Sequence, residues 1–163
     1  MPELPLTDLP QTLQKRQRLL GLDLGEKTVG LAISDGGLTV ASPLETIRRH
    51  KFTQDAEALK AVIAVREVGG LVFGLPVNMD GSEGPRCQST RQFARNLAQL
   101  AGLDLPYAFW DERLSTAAVE RFMIEEADMT RRRRGAVVDK MAAAYILQGA
   151  LDALRHSKNR SAP

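Results

Sequence analysis

Residues 19–35 read LLGLDLGEKTVGLAISD, and the fold turns on how this stretch divides. Leu19 to Leu24 is apolar apart from one acid, and suits a buried strand. Gly25-Glu26-Lys27 is a turn, and Thr28 to Ser34 is again rich in branched apolar residues, which predicts a second strand. Asp35-Gly36-Gly37 is another turn signal, and Leu38 to about Ile47 reads as a third strand. Three strands in such close succession predict an antiparallel meander. Alternation along the first strand puts Leu20, Leu22 and Leu24 on one face and Gly21, Asp23 and Gly25 on the other. An ionised carboxylate within a sheet is costly unless paired or metal-bound, and the glycines leave room beside Asp23. The plainer reading is an aspartate near a strand end, half in water.

Beyond the meander the period changes. Ala56, Leu59, Val62, Ile63 and Val65 recur at helical spacing between Phe52 and Val68, and Gly69-Gly70 closes that helix. Leu71 to Leu75 is a short buried strand, and Pro76 to Pro85 a loop. Arg91 to Ala101 suits a helix ending at Gly102, Leu105 to Trp110 a fifth strand, and Ser115 can cap a helix to about Glu126. Val137 to Leu154 is a strong final helix. A meander followed by alternating strands and helices predicts an α/β fold: a mixed five-stranded sheet with helices on both faces. Residues 1–16, with Pro2, Pro5 and Pro10, read as a flexible extension to a domain over 17–155, and 156–163 as a polar tail.

Two further acids stand where a site could form. Asp111 and Glu112 end the aromatic run Tyr107-Ala108-Phe109-Trp110 and precede Arg113, and sites in α/β sheets gather beyond the carboxyl ends of strands. The two point to opposite faces if the strand continues, so one of them would meet Asp23; spacing does not choose between them. Asp139 opens a helical stripe of small apolar residues (Ala142, Ala143, Ile146, Ala150, Ala153) suited to packing on the sheet. Acids in the first turn of a helix are also favoured by its dipole. If the three converge, they form a set of hard oxygen ligands for Mg²⁺ or Mn²⁺, and divalent ions so held can activate a water and stabilise the leaving oxygen of a phosphodiester.

Composition narrows the remaining classes. The chain has 163 residues and a net charge of +2, so bulk charge does not announce a nucleic-acid binder. Its cations are clustered, however: Lys15, Arg16 and Arg18; Arg48, Arg49, His50 and Lys51; Arg131, Arg132, Arg133 and Arg134; and Arg155, His156, Lys158 and Arg160. Guanidinium forks suit phosphate, and Arg131 to Arg134 read as a phosphate-tracking loop just ahead of Asp139. Lys27, Asn78, Ser82 and Arg113 are further candidate contacts to a nucleic-acid backbone. The lone Cys87 excludes an intramolecular disulfide and a cysteine-built zinc site. No apolar run approaches the ~20 residues of a membrane span, and the N-terminus lacks a signal-peptide core; these features point to the cytoplasm.

LLGLDLGEKTVGLAISD (19–35), LVFGLPVNMDGSEG (71–84), WDERLSTAAVE (110–120) and VDKMAAAYILQGALD (138–152) together resemble the YqgF/RuvX family, a bacterial branch of the ribonuclease-H-like superfamily related to RuvC-type Holliday junction resolvases. The resemblance covers roughly residues 18–154. It implies a ribonuclease-H-like fold and a metal-dependent endonuclease acting on structured RNA or branched DNA, in 5′-end processing of pre-16S rRNA or Holliday junction resolution. It assigns Asp23, Glu112 and Asp139 as the catalytic, metal-holding acids, with Asp111 as a neighbour. RuvC-like enzymes often carry a further acid one turn along the last helix; here that place holds Ala142 or Ala143. Symmetric junction cleavage would call for a homodimer. Two other classes share parts of this pattern. An actin-like ATPase shares the Asp-Leu-Gly turn, but the chain is long enough for only one of the two domains such enzymes need, and it has no P-loop. A non-catalytic nucleic-acid-binding or ribosome-assembly module would not need all three acids.

Overall fold

The computed structural model describes residues 1–114 and 131–161; in the last helix, side chains are described over 139–157. The meander forms as the turn signals require: β1 (Arg18–Leu24), β2 (Thr28–Ser34) and β3 (Ala41–Arg48) are antiparallel neighbours. After α1 (Phe52–Val65), β4 (Val68–Leu75) returns parallel to β1, and after α2 (Pro85–Gln99), β5 (Tyr107–Asp111) lies parallel to β4. The sheet order is β3-β2-β1-β4-β5. A 3-10 turn (Glu112–Leu114) follows β5, and α3 runs from Arg131 to Ser161.

Both sheet faces are covered, as alternation predicts. Leu20, Leu22, Leu31, Leu71 and Phe73 pack with Ala56 and Leu59 of α1 and with Phe93, Ala94 and Leu97 of α2. The opposite face, with Leu19, Ala32, Val72 and Ala108, takes Ala143, Ala144, Leu147, Ala150 and Leu151 of α3. The central strands β1 and β4 are buried on both faces, so they read as continuous apolar runs. Small residues set the depth of α3: a Cβ on Gly21 would stand 2.8 Å from the Leu147 Cβ.

Several elements depart from the sequence reading. β4 begins at Val68, so Gly69-Gly70 lie inside a strand and not at a helix end; α1 stops at Val65, and Glu67 makes the connection with φ 55°. α2 starts six residues earlier than expected, because Pro85 takes the first helical position, where its missing N–H costs nothing. The basic run Arg131–Arg134 belongs to the first turn of α3, not to a loop, and that helix continues through Ser161, into the segment read as a polar tail. The helix expected from Ser115 to Glu126 lies outside the described residues.

The largest departure is at the N-terminus, expected to be flexible. Leu4 N–H donates to the Tyr107 carbonyl and Tyr107 N–H to the Pro2 carbonyl, so residues 2–4 run along the free edge of β5. Met1 packs with the α1–α2 face, while Leu4, Leu6 and Leu13 pack on the α3 face and Leu9 is fully buried there. The segment, with a 3-10 helix at Leu6–Thr12, is a strap that wraps one sheet edge. A covered edge is a protected edge, and the strap's leucines offset its ordering entropy. At the opposite edge β3 carries Pro43, beside a register irregularity in its pairing with β2, and proline within a sheet belongs at an edge or a bulge.

Candidate active site

Asp23 lies near the carboxyl end of β1, on the α3 face. Its antiparallel partner across the sheet is Gly30, and one step beyond the Leu22–Phe73 pair on the other side stands Gly74. The acid therefore sits on a floor without side chains, and what fills the space comes from above. Over Gly74 lies Glu112, whose Oε1 would be 2.9 Å from a Cβ there. Over Gly30 lies the backbone of α3 at Asp139; a Cβ on Gly30 would stand 2.5 Å from the Asp139 carbonyl carbon. Glycine is required at Gly30, where the close approach is backbone to backbone; at Gly74 a side chain would instead displace the ends of Glu112 and Ile146.

The three acids differ in state. A side-chain hydrogen bond joins Asp23 to Glu112. Two carboxyl groups can bond only by sharing a proton, and Glu112 holds it: burial first, then the bond to Asp23 and that residue's charge, push Glu112 up to about 8. Burial also raises Asp23, an effect opposed by the bond from Glu112 and reinforced by the charge of Asp139. Asp139 is half-buried, and its Oδ2 accepts a hydrogen bond from Thr28 Oγ1 at 2.7 Å. Thr28 opens β2, directly after the turn that follows Asp23; it was not singled out from the sequence, where nothing distinguishes it from other strand-opening threonines.

The open choice between Asp111 and Glu112 is resolved by geometry. Asp111 turns away and grips Arg113, accepting from Nε at 2.9 Å, Nη2 at 2.6 Å and the Arg113 backbone N–H at 3.0 Å. Glu112, in the 3-10 turn, is the one that reaches Asp23. Among the described residues no three acid, histidine or cysteine side chains stand close enough to hold an ion as they are. The donor chemistry nevertheless fits a hard cation. Asp23 and Glu112 oppose each other around a proton that a cation would replace, and the charge of Asp139 acts on Asp23.

Residues 17–153 match the family described as RuvX, Holliday junction resolvase. The chain belongs to this family. A Paramagnetospirillum magneticum protein named "Putative pre-16S rRNA nuclease" is 64% identical over 152 residues, covering 93% of this chain and 96% of that one. A protein of the same name from Rhodospirillum rubrum is 59% identical over 162 residues, covering 99% of each. Among solved structures, Thermus thermophilus RuvC in complex with a Holliday junction substrate aligns with a TM-score of 0.55 at 15% identity, covering 86% of this chain and 97% of that one. The yeast mitochondrial Holliday junction resolvase Ydc2 aligns at 0.53 with 9% identity, covering 95% and 88%. These two likenesses establish the ribonuclease-H-like fold.

In this RuvX chain the remaining candidate residues are placed unevenly. Asn78 and Ser82 are exposed in the β4–α2 loop and tied to each other: Asn78 Nδ2 donates to Ser82 Oγ at 3.1 Å, and Ser82 donates to Asp80 through both its Oγ and its N–H. Arg113, besides its pair with Asp111, reaches the carbonyls of Asn78 and Met79 at 3.4 Å, so it fastens this loop to the end of β5. Lys27 is exposed in the β1–β2 turn, and its carbonyl accepts from Arg49 N–H. The side chains of Arg131, Arg132, Arg133 and Arg134 lie outside the described residues. Loop, 3-10 turn and α2 enclose a cleft of about 430 Å³ whose lining includes Asn78, Met79, Arg86, Glu112 and Arg113. Arg86 was missed from sequence because it falls between the loop ending at Pro85 and the helix expected from Arg91, in a stretch given no element; its charge acts on both Asp23 and Glu112.

Proposed function

We propose that this RuvX-family chain is a metal-dependent endonuclease that hydrolyses phosphodiester bonds in structured nucleic acid, with 5′-end processing of pre-16S rRNA or cleavage of branched DNA as its task. The observation that carries the reading is the meeting of Asp23 and Glu112 over Gly74, with Asp139 of α3 lodged over Gly30 at the same end of the sheet. Half-buried acids gathered from three elements repel one another once ionised, and a bound cation would offset that repulsion. Asp23, Glu112 and Asp139 would hold it. A bound divalent ion supplies Lewis-acid activation of water and stabilisation of the leaving oxygen.

The chain's own contribution is positional. Thr28 fixes one oxygen of Asp139. The Asp111–Arg113 pair holds the β4–α2 loop against the cleft beside Glu112. Loss of the proton shared by Asp23 and Glu112 readies both carboxylates together. The names of the relatives favour pre-16S rRNA, and RuvC and Ydc2, with the same fold, are junction resolvases. The test is cleavage of a labelled pre-16S 5′ segment and of a four-way DNA junction, each with Mg²⁺, Mn²⁺ or EDTA, by the native protein and by Asp23→Asn. Cuts lost in EDTA and in Asp23→Asn, with folding and most binding kept, are expected. Full activity of Asp23→Asn would sink the assignment. Paired symmetric cuts in the junction would point to a homodimer, and binding of both substrates without cutting of either would point to a binding module.

A further inference from the structure

We infer that Arg86 is the arginine that grips a backbone phosphate of the substrate in the cleft beside Glu112, and that Arg113, the cleft's other arginine, serves only to hold the loop. The inference deepens the endonuclease reading and rests on it. Arg113 is fully engaged: Asp111 meets its guanidinium at two nitrogens and its third points to loop carbonyls. A guanidinium held in a fork by a carboxylate has little left to offer a phosphate. Two more of the described arginines are also committed. Arg91 is paired with Glu83 and Glu3 and lies over the Phe109 ring, and Arg49 donates to the Gly25 carbonyl and lies over Phe93. Arg86 differs. It is exposed, it lines the same cleft as Glu112, and among the described residues no carboxylate stands within ion-pair distance of it.

Charge balance gives that position its purpose. Three carboxylates and one divalent cation leave a net charge of minus one where an anionic phosphodiester must arrive. A cation without an ion-pair partner among the described residues offsets that repulsion, and Arg86, in the first turn of α2 after the Gly84-Pro85 start, is held there by a helix and not by a loop. Its contact is with phosphate, so it carries no base preference.

The experiment measures binding of the native chain, of Arg86→Ala, Arg86→Lys and Arg113→Ala, and of the control Arg66→Ala, an exposed arginine at the end of α1 just ahead of β4 and so away from the carboxyl ends of the strands, to the four-way junction and to the pre-16S segment. Divalent ions are absent, so cleavage does not intervene, and salt is varied. For Arg86→Ala the expected result is roughly a ten- to hundredfold loss of affinity, with the slope of log affinity against log salt shallower by about 0.7 to 0.9. Arg86→Lys keeps the slope and recovers part of the affinity. Arg113→Ala and Arg66→Ala keep the native slope, and Arg113→Ala shows its effect as faster proteolysis within residues 76–84. A native affinity and slope in Arg86→Ala, with the thermal midpoint unchanged, would overturn the proposal while leaving the endonuclease reading standing. No binding of either substrate by the native chain would overturn both.

Discussion

Replacing Gly30 by alanine adds one methyl group to the floor beneath Asp139. That methyl would lie 2.5 Å from the Asp139 carbonyl carbon and nearer still to its oxygen, with the Lys140 nitrogen at 3.2 Å. Ordinary carbon–carbon contact begins near ~3.5 Å, so backbone must separate from backbone by roughly 1 Å. No side-chain rotation relieves a clash between two main chains. β2 is held on both sides, by β1 and β3, so the movement falls on the start of α3. Overpacking of this kind costs about 1–3 kcal/mol. The larger effect is on chemistry. Asp139 is the acid over that glycine, and displacing a reacting group by ~1 Å can cost about 10²-fold in rate. Gly36→Ala is the matched control, since its added methyl meets nothing closer than 3.8 Å. The assay is single-turnover cleavage with a metal titration, alongside thermal unfolding. Gly30→Ala should lose about a hundredfold in rate and need more metal, while Gly36→Ala stays near native. Native rate and metal dependence in Gly30→Ala would refute the claim that close seating of α3 on β2 places Asp139.

Other predictions follow from particular contacts. Thr28→Val removes the hydroxyl on Asp139 Oδ2 and should raise the metal concentration needed for cleavage by about 10- to 100-fold without loss of fold; an unchanged metal titration would remove Thr28 from the site. Without metal, Glu112 stands at about 8 in the folded protein against ~4.3 unfolded. The folded state therefore keeps a proton that the unfolded state has lost, and stability falls as pH rises between those values, by at most ~1.4 kcal/mol per pH unit. Urea midpoints in EDTA between pH 5 and 8 should show that decline, and both Glu112→Gln and added Mg²⁺ should flatten it. Leu9→Ala hollows the fully buried seat of the N-terminal strap and should cost about 2–5 kcal/mol; a thermal midpoint near native would mean the strap contributes little.

The parts of this fold legible in sequence were those governed by period. β1 and β2 alternate across two buried faces, turn residues separate them, and the face that Leu20, Leu22 and Leu24 occupy is the face that α1 and α2 cover. The small apolar stripe after Asp139 likewise marks Ala143, Ile146 and Ala150 as buried. What was not legible depended on partners far along the chain. Pro2 and Leu4 become strand-like only because the edge of β5 offers them the Tyr107 amide and carbonyl, and nothing local announces Leu9 as core. The site divides in the same way. Asp23 stands out because an acid between glycines in an apolar strand is locally anomalous. Thr28, Gly30, Gly74 and Arg86 are locally ordinary, and gain their roles from what α3, β5 and α2 bring over them. The acids can be named from a motif, but the protonation of Glu112, the tether on Asp139 and the placing of Arg86 in the cleft are properties of the assembled sheet end. For that reason the variants that discriminate best are Gly30→Ala, Thr28→Val and Arg86→Ala. Each leaves the three acids in place and changes only what the fold does to them or to the phosphate they await.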